Sequence, residues 1–418
     1  MNILVCGGNG FIGRALCRAL ERDGHHVCRG VRHASHVNEI TIDYANDLDP
    51  DVWFARLRDI DVVINAVGIL VERGNQTFDA IHRRSPSALF DASVRAGVKR
   101  VIQISALGAQ TGTTRYFSSK RAADEHLQTL PVAYRIFRPA LVYGRTGSSS
   151  RFFRALASLP AHVLPAGGHQ RLRPIHVDEL AEVVARWVNT NTPDQRVVEL
   201  AGGTQVEYRE MLAVYRASML LAPAPRISIP AALIDMSAAL MDRVPRSMLT
   251  RDTWSMLQAG STTDIAATVE ALGRRPVGIE AFVGKADALP LRSEAFSAWR
   301  PLALRGALAA TWIWTAIVSA LIYPQQASLA LLAQVHLHHS VGLVALYAAA
   351  ALDFLLGVAT LFRPGRRLWA MQAALVMAYS IVIGIALPEF LFHPFGPILK
   401  NLPILAILLV LFSEETRR

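Results

Sequence analysis

The pattern of apolar and polar positions divides the chain into two parts. Up to about residue 299, short apolar runs alternate with amphipathic stretches, and charged residues are scattered throughout. Four long apolar segments follow, at 306–323, 341–362, 368–387 and 396–412. Each is close to the roughly 20 residues that a helix needs to cross a bilayer, although the last is short and begins with polar residues. We therefore predict a soluble domain at 1–290, a linker at 291–305 and an all-α four-helix transmembrane bundle at 306–418.

The soluble part alternates between the two periods of secondary structure. "NILVC" predicts a buried strand, "FIGRALCRALERDG" an amphipathic helix and "HVCRGVR" (about His26–Arg32) a second strand. "IDVVIN" and "KRVIQI" predict further buried strands. This alternation is typical of an α/β, Rossmann-type doubly wound parallel sheet, which binds ligands at the carboxyl ends of its strands. The short elements with Pro and Gly punctuation between 145 and 283 predict a small substrate lobe.

Three glycines separate the first strand from the first helix. Gly7, Gly10 and Gly13 follow a GxxGxxG spacing. In a strand–turn–helix context, such glycines allow a sharp turn, a close approach of backbone N–H groups to a pyrophosphate, and tight packing of the helix on the strand. The alternative is a glycine-rich loop without a ligand. We predict a dinucleotide site that includes the glycines and the first residues of the helix, Phe11, Ile12 and Arg14.

The end of the second strand bears on the choice of nucleotide. "CRGVRHAS" contains no Asp or Glu that could hold the ribose 2′-hydroxyl of NAD. Arg32, and with it Arg29, could pair with a 2′-phosphate, with Arg14 assisting. The alternative is that these arginines are solvated surface residues. The sequence thus favours NADP(H) over NAD(H), and Asp43 is placed either to touch the adenine edge or to begin a turn.

The next two strands also end in residues suited to a binding site. Asn65, Ala66, Val67 and Gly68 follow one strand, and their small side chains would let the chain pass beneath the cofactor. Ser105 ends the following strand. Because these ends meet at one edge of a parallel sheet, we expect them to lie near the glycine turn.

The stretch "YFSSK" adds candidate acid–base chemistry. Tyr116 and Lys120 are four residues apart at the start of a predicted helix, so their side chains point the same way. A phenol is too weak an acid or base near pH 7, but a neighbouring ammonium lowers its pKa. We predict that Tyr116 is the acid/base, that Lys120 lowers its pKa, and that Ser105 hydrogen-bonds the substrate oxygen. The alternative is a pair on the solvated face of a helix.

These motifs, together with "FRPALVYG" at 137–144 and "RPIHVDELA" at 173–181, resemble the extended and atypical short-chain dehydrogenase/reductases over about residues 1–283. The resemblance implies NAD(P), a Ser–Tyr–Lys catalytic set, contact of Tyr116 and Lys120 with the cofactor, and Pro139 near its amide end. It also places His176 and Asp178 on the segment that closes the substrate lobe. An NAD(P)-dependent oxidoreductase or epimerase/dehydratase is the implied activity.

"INAVGILVERGNQTFDAIHRRSP" most resembles the atypical branch that contains an accessory subunit of respiratory complex I. That branch includes members that hold the nucleotide as a structural element. The resemblance therefore implies an alternative to catalysis, in which the chain is a nucleotide-binding assembly or sensor subunit of a membrane complex.

Charge and cysteine content exclude other classes. The net charge is +10, but there is no basic block and no zinc-ligand spacing, so we expect neither a nucleic-acid partner nor a metal site. The cysteines Cys6, Cys17 and Cys28 suit reduced thiols. Four arginines of the predicted lobe could meet an anionic substrate or simply be surface residues: Arg151, Arg154, Arg171 and Arg173.

Arginines alternate along the apolar part. They precede the first predicted span (Arg292, Arg300, Arg305), separate the second from the third (Arg363, Arg366, Arg367) and follow the fourth (Arg417, Arg418). The loops 324–340 and 388–395 carry no Lys or Arg. By the positive-inside rule, both termini and the dehydrogenase domain face the cytoplasm, which predicts an integral protein of the inner (cytoplasmic) membrane with four spans.

"HPFGPILKNLPIL" at 393–405 and the four-span layout resemble the DoxX-like membrane family. Within the spans, Asp353 and Lys400 are unusual, and we expect an Asp or His partner for Lys400 or its extension to the interface. The histidines 336, 338, 339 and 393 fall on the outer loops and are expected to be interfacial. A tethered active site would suit a small-molecule or amphiphilic substrate, such as a quinone or a lipid-linked molecule, beside the lipid bilayer.

Overall fold

A computed structural model describes residues 1–190, 196–244, 247–394 and 396–415. The chain forms two compact units, Met1–Ala295 and Phe296–Arg418. The strands all lie in the first unit: β1 (Asn2–Cys6), β2 (His26–Val31), β3 (Glu39–Thr41), β4 (Val62–Asn65), β5 (Arg100–Ile104), β6 (Ala133–Pro139), β7 (Val142–Tyr143), β8 (His162–Pro165), β9 (Arg171–Leu172), β10 (Ile175–His176), β11 (Arg196–Leu200), β12 (Val206–Glu207) and β13 (Arg226–Ile229).

Seven strands form one parallel sheet in the order β11-β6-β5-β4-β1-β2-β3. The predicted doubly wound α/β fold is therefore confirmed. Successive residues of β1 point to opposite faces, so Ile3 and Val5 enter one apolar layer while Leu4 and Cys6 enter the other. Both faces are covered, which explains why these strands are continuously apolar.

Helices cover the two faces of this sheet. The α-helices of the first unit are α1 (Phe11–Arg22), α2 (Pro50–Phe54), α3 (Ser85–Arg95), α4 (Arg115–Gln128), α5 (Ser148–Ser158), α6 (Val177–Val188), α7 (Tyr208–Ser218), α8 (Ala231–Met241), α9 (Arg251–Ala259), α10 (Ala266–Leu272) and α11 (Ala288–Ser297), which runs into the second unit. The layer of Ile3 is built with α1, α6 and α10, and the layer of Leu4 with α2, α3 and α4.

The region 145–283 contributes to both the main sheet and a smaller layer. Strand β11 forms the edge of the main sheet beside β6. Helices α6 and α10 pack on one face of that sheet. The remaining short strands form two-stranded sheets, β7 with β10, β9 with β12 and β8 with β13. A separate core around Tyr143, Met211 and Tyr215 joins these elements to α5 and α7.

The second unit is helical. Its helices are α12 (Arg300–Ile317), α13 (Gln325–Gln334), α14 (His339–Phe362), α15 (Arg366–Ala386), α16 (Glu389–Phe392) and α17 (Asn401–Glu414), and a π-helical turn, Val318–Ile322, follows α12. Among the described residues, three helical runs are long and apolar enough to cross a membrane: Lys285–Ile322, His339–Phe362 and Arg366–Ala386. The fourth predicted span corresponds to α17, which has only 14 residues. Helix α13 lies where a loop was expected.

A buried polar network joins three helices of this unit. The indole N–H of Trp312 donates to Gln372 (3.1 Å), and the Gln372 amide donates to the Thr360 hydroxyl (2.8 Å). Asp353 is also buried, and its Oδ1 has no hydrogen-bond partner among the described residues. Lys400 is exposed, and within the described part of the chain no ion pair joins it to Asp353 or to a histidine. The expected buried partner for Lys400 is therefore not found.

Candidate nucleotide and catalytic site

The glycine turn has the geometry of a phosphate cradle. Gly7 has φ +79°, and the N–H of Gly10 donates to the carbonyl of Gly7 (2.8 Å). A Cβ atom on Gly13 would lie 2.0 Å from that carbonyl oxygen, so the first turn of α1 reaches this close only without a side chain. The backbone N–H groups at the start of α1 are consequently open to a pyrophosphate, and the turn fits a dinucleotide.

The first residues of α1 connect this turn to the chain that follows β7. The ring of Phe11 lies so close to Gly144 that a Cβ there would be 2.5 Å from Phe11 Cε2. Ile12 packs against the main core, and Arg14 donates to the Thr146 hydroxyl (3.4 Å). The turn therefore borders the smaller layer of the unit.

The predicted 2′-phosphate residues differ in their availability. Arg29 is held by Glu21, with 2.7 Å between Arg29 Nη2 and Glu21 Oε1, whereas Arg32 is exposed and donates to Gln76 (3.2 Å). The sequence analysis missed Glu39, which starts β3 and accepts a hydrogen bond from Asn9 in the glycine turn (3.3 Å). An acidic side chain therefore borders the glycine turn, which runs against the preference for NADP(H). The sequence pattern did not indicate it, because Glu39 lies on β3 and not at the end of β2.

Asp43 begins a turn. Its carboxylate accepts from the backbone N–H of Ala45 (3.1 Å) and from the Asn46 amide (2.6 Å). Asp43 thus has the turn role considered for it, and its contact with an adenine edge stays a prediction. Pro139 is buried at the end of β6, where its carbonyl accepts from the N–H of Leu107 (2.9 Å).

The strand-end residues after β4 form the floor of the site. Asn65 is fully buried, accepts from Tyr44 (2.9 Å) and from the N–H of Val67 (3.1 Å), and donates to Gln103 (2.7 Å). Its role in the structure is therefore to fix the chain at the end of β4. Beyond it, Ala66 and Val67 are half-buried and Gly68 is exposed.

Lys120 extends from α4 to this floor. It is 4% exposed, and its ammonium donates to the carbonyls of Ile104 (3.2 Å) and Val67 (3.4 Å). A Cβ on Gly68 would lie 3.2 Å from Lys120 Nζ. Lys120 thus links the ends of β4 and β5, the strands that lead to Asn65 and Ser105.

Tyr116 stands one turn earlier on α4, among aromatic rings. It meets Phe78 (centroids 5.9 Å apart) and His82 (5.3 Å) edge to face. Desolvation raises the pKa of Tyr116 to about 12, and the carboxylate of Asp124 acts in the same direction. The expectation that Lys120 lowers the pKa of Tyr116 is therefore wrong for the protein alone, because the ammonium is directed to backbone carbonyls.

The pKa of Lys120 itself is lowered. Burial brings the pKa of this ammonium down to about 8, although the Asp124 carboxylate opposes the change. Lys120 therefore titrates much closer to neutral pH than an exposed lysine does.

Ser105 is engaged by a carboxylate that the sequence analysis did not single out. The Ser105 hydroxyl donates to Asp124 Oδ2 (2.7 Å), which also accepts from Arg138 Nε (3.0 Å). Asp124 and Arg138 are both buried, and Arg138 donates further to Gln110 (2.7 Å). To donate a hydrogen bond to a substrate oxygen, the Ser105 hydroxyl would have to give up its hydrogen bond to Asp124. The sequence does contain one sign of this role for Asp124: it lies four residues after Lys120, and therefore on the same face of α4.

His82 is another residue that could not be singled out from the sequence. It lies in the short π-helical segment Asp79–Arg84, is 1% exposed, and accepts from the N–H of Ile69 (3.0 Å) through Nε2. With Nε2 as acceptor, Nδ1 carries the proton toward Ser119 (3.0 Å), and Ser119 donates to the Tyr116 carbonyl (2.8 Å). Burial, reinforced by the Lys120 charge, holds the pKa of His82 well below its usual value. A neutral His82 thus supports the first turn of α4.

The arginines considered for an anionic substrate are mostly engaged. Arg151 pairs with Glu294 (2.8 Å), and the buried Arg154 donates to the carbonyl of Arg145 (2.7 Å). Arg173 donates to the carbonyl of Thr263 (3.0 Å), and Arg171 is exposed.

His176 is the N-cap of α6: its Nδ1 accepts from the N–H of Asp178 (3.3 Å), and its ring lies 5.9 Å from that of Tyr143. Together with the close packing of Gly144 on Phe11, this puts the segment beside the glycine turn.

Comparison with known proteins identifies two families. Residues 7–162 match the model of the NAD(P)H-binding family, and residues 309–409 match the DoxX-like family. The chain joins an NAD(P)-binding Rossmann domain to a DoxX-like domain. Both resemblances noted in the sequence are thereby confirmed, and the DoxX-like match together with the three apolar helices indicates a membrane protein.

The curated relatives include a subunit of NADH dehydrogenase and a reductase. Subunit 9 of the NADH dehydrogenase [ubiquinone] 1 alpha subcomplex from Arabidopsis thaliana is 32% identical over 216 residues, covering 47% of this chain and 53% of that protein. Ceramide reductase from Caulobacter vibrioides is 26% identical over 232 residues, covering 54% of this chain and 72% of that protein. The chain thus spans about half the length of the first of these relatives.

Solved structures share the fold of the first unit. UDP-glucuronic acid 4-epimerase from Bacillus cereus, in complex with UDP-glucuronic acid and NAD, has a TM-score of 0.53 and 16% identity over 72% of this chain and all of its own. The NADPH-dependent quinone oxidoreductase of Escherichia coli has a TM-score of 0.54 and 18% identity over 67% of this chain and 98% of its own. These likenesses show that the first unit has the fold of these two proteins.

Proposed function

We propose that the chain is a membrane-anchored NAD(P)-dependent oxidoreductase or epimerase of the short-chain dehydrogenase type, which transfers hydride at a hydroxyl or keto group. The observation that carries this proposal is the position of Lys120. Its buried ammonium lies at the ends of β4 and β5, one helical turn from Tyr116 and beside Gly68. A dinucleotide seated on the glycine turn would supply or accept the hydride.

The protonated state of Tyr116 at neutral pH suits one direction of reaction. A phenol with a pKa of about 12 is protonated at neutral pH, so it can donate its proton to a carbonyl oxygen that receives hydride. The positive charge of Lys120 would stabilise the phenolate left behind. We therefore propose carbonyl reduction as the favoured half-reaction, with Tyr116 as the acid and Ser105 orienting the substrate oxygen once it is released from Asp124.

The test is turnover by the full-length protein in detergent, measured as NADPH oxidation with a panel of ketones, quinones and keto-lipids. Tyr116→Phe is expected to reduce kcat by about 10²–10⁴-fold while leaving nucleotide affinity unchanged. The matched control is Tyr134→Phe, which changes a tyrosine on β6. Equal turnover by the wild type and Tyr116→Phe would overturn the assignment.

A preference for NADP(H) is proposed on the exposed Arg32. Arg32→Ala is expected to raise the KM for NADPH about tenfold and to leave that for NADH unchanged, because a lost contact to a 2′-phosphate is worth about 1.4 kcal/mol. Arg29→Ala serves as the control, since Arg29 is held by Glu21. An unchanged KM for NADPH in Arg32→Ala, together with a gain in NADPH affinity in Glu39→Gln, would instead assign NAD(H).

A second candidate function is that of a non-catalytic nucleotide-binding subunit of a membrane complex. One observation favours it: the hydroxyl of Ser105 is held by Asp124 and is not free to orient a substrate oxygen. The subunit 9 relative belongs by name to NADH dehydrogenase. In this case nucleotide would copurify with the protein without being oxidised, and mutation of the glycine turn would release a partner rather than stop a reaction.

Substrate class and topology complete the proposal. An amphiphilic substrate, such as a quinone or a lipid-linked molecule, would suit an active site tethered to a bilayer, and a relative named ceramide reductase supports a lipid. In the second unit, Arg305 donates to the carbonyls of Thr360 (3.1 Å) and Leu361 (2.6 Å), so the arginine-bearing start of α12 lies beside the end of α14. This supports a cytoplasmic face for that end; Arg417 and Arg418 lie outside the described residues.

A further inference from the structure

Helix α8 presents apolar side chains to solvent. Leu233, Met236 and Leu240 are 49%, 66% and 60% exposed. Their spacing of three and four residues puts them along one face, and Val244, just beyond the helix, continues the stripe at 45% exposure. A helix of the first unit thus carries an uncovered apolar face, which we call the α8 stripe.

The other sides of α8 already serve the fold. Ile234 and Ala238 are buried against Trp254, and the Asp235 carboxylate accepts the Trp254 indole N–H (2.6 Å). The acidic side chain of the helix therefore contacts protein, while Leu233, Met236 and Leu240 face outward. A helix that faces only water shows the opposite arrangement.

The surroundings of the α8 stripe extend it and add positive charge. Ile227, on the strand that leads into α8, is 51% exposed. Arg226 precedes it and Arg243 follows the helix, and both are exposed; Arg251 is also exposed but pairs with Asp242 (3.6 Å). An apolar face flanked by arginines matches the boundary between acyl chains and anionic headgroups, where an interfacial helix is buried by about 5–10 Å.

We propose that the α8 stripe lies in the surface of a lipid bilayer, with Leu233, Met236 and Leu240 at the acyl boundary and Arg226 and Arg243 near anionic phosphates. The chain itself argues for this occupant, because its three membrane-length helices keep the first unit close to a bilayer. Tethering raises the effective concentration, so three apolar side chains suffice for a contact that would be weak in a free protein. The inference does not depend on catalysis at Tyr116.

The experiment places a fluorescent reporter on the stripe. Full-length Met236→Cys, in a Cys28→Ser background that leaves only the buried Cys6 and Cys17, is labelled with nitrobenzoxadiazole and reconstituted into phosphatidylcholine–phosphatidylglycerol vesicles. We expect blue-shifted emission and about twofold stronger quenching by shallow spin-labelled lipids than for the control label at Glu125→Cys, an exposed position on α4. Arg226→Gln with Arg243→Gln should reduce this quenching in anionic vesicles and leave it unchanged in phosphatidylcholine alone.

Other occupants give different results. Emission typical of water, with no more lipid quenching at position 236 than at position 125, would overturn the proposal. A blue shift without lipid quenching, together with disulfide crosslinks between Met236→Cys chains, would also overturn the proposal. That result would assign the α8 stripe to a contact with a second copy of the chain. Because the apolar helices of the second unit keep every variant in the vesicles, and because the altered side chains are exposed, a loss of quenching reports on this contact rather than on recovery of the protein.

Discussion

At the scale of single residues, the direction of the Lys120 ammonium determines the arrangement of the candidate site. The Lys120 ammonium donates hydrogen bonds to the carbonyls of Ile104 and Val67, so it is directed to the strand ends. Asp124, one turn further along α4, holds Ser105 and partly offsets the Lys120 charge. The acid–base properties of the site therefore belong to this cluster and not to a Tyr–Lys pair alone.

The lowered pKa of Lys120 predicts a pH dependence. The ammonium is charged below about pH 8 and neutral above it, so kcat/KM should fall as the pH rises through 8 if the charge supports Tyr116. Lys120→Arg keeps a charge that does not titrate in this range, and we expect lower activity but no descending limb. A limb near pH 8 that persists in Lys120→Arg, in rates measured from pH 6 to 10, would assign it to another group.

The same shift fixes the sign for stability. Because the folded pKa of about 8 lies below the ordinary 10.5, the unfolded chain binds more protons between these values. The contribution of Lys120 to the free energy of unfolding therefore becomes more favourable as the pH rises across this window.

At the scale of elements, the contact between β1 and α1 is the most constrained. Gly13→Ala would place a Cβ atom 2.0 Å from the Gly7 carbonyl oxygen. Helix α1 would have to move to relieve this steric clash. We expect a loss of more than about 2 kcal/mol in the free energy of unfolding and a loss of nucleotide binding. Urea titration followed by circular dichroism and a nucleotide-binding assay of the full chain in detergent would check both.

Gly24→Ala is the matched control for this element. Gly24 has φ +80°, but nothing lies within 4 Å of its Cβ position. Only the backbone cost of about 1 kcal/mol is expected, with normal nucleotide binding. Equal effects of the two substitutions would mean that backbone conformation, and not the close approach at Gly13, limits the turn.

The elements also show which features could be predicted from sequence. The strands leading to Gly7, Asn65 and Ser105 are short apolar runs whose burial is encoded locally, so their ends could be placed at one edge of a sheet. Asp124 and Arg138 could not, because their burial depends on α4 packing against β6, and each resembles a surface residue in its own segment. His82 depends on a π-helical segment, which composition does not encode.

At the scale of the whole molecule, the alternation of arginines predicts a sidedness. Val37→Cys, on a fully exposed side chain of the first unit, should react with a membrane-impermeant maleimide in inside-out vesicles and not in intact spheroplasts. The Cys28→Ser background removes the one thiol that is not buried. Labelling of intact spheroplasts at position 37 would reverse the orientation.

The order of the two units along the chain has a consequence for biosynthesis. β11, which completes the main sheet beside β6, is made well before the first long apolar helix. At about 5–20 residues per second, the 295 residues of the first unit take roughly 15–60 s to synthesise, ample time for a domain to fold on the ribosome. The membrane helices would then be inserted with a finished nucleotide-binding domain already attached, so insertion fixes the location of this domain without taking part in its folding.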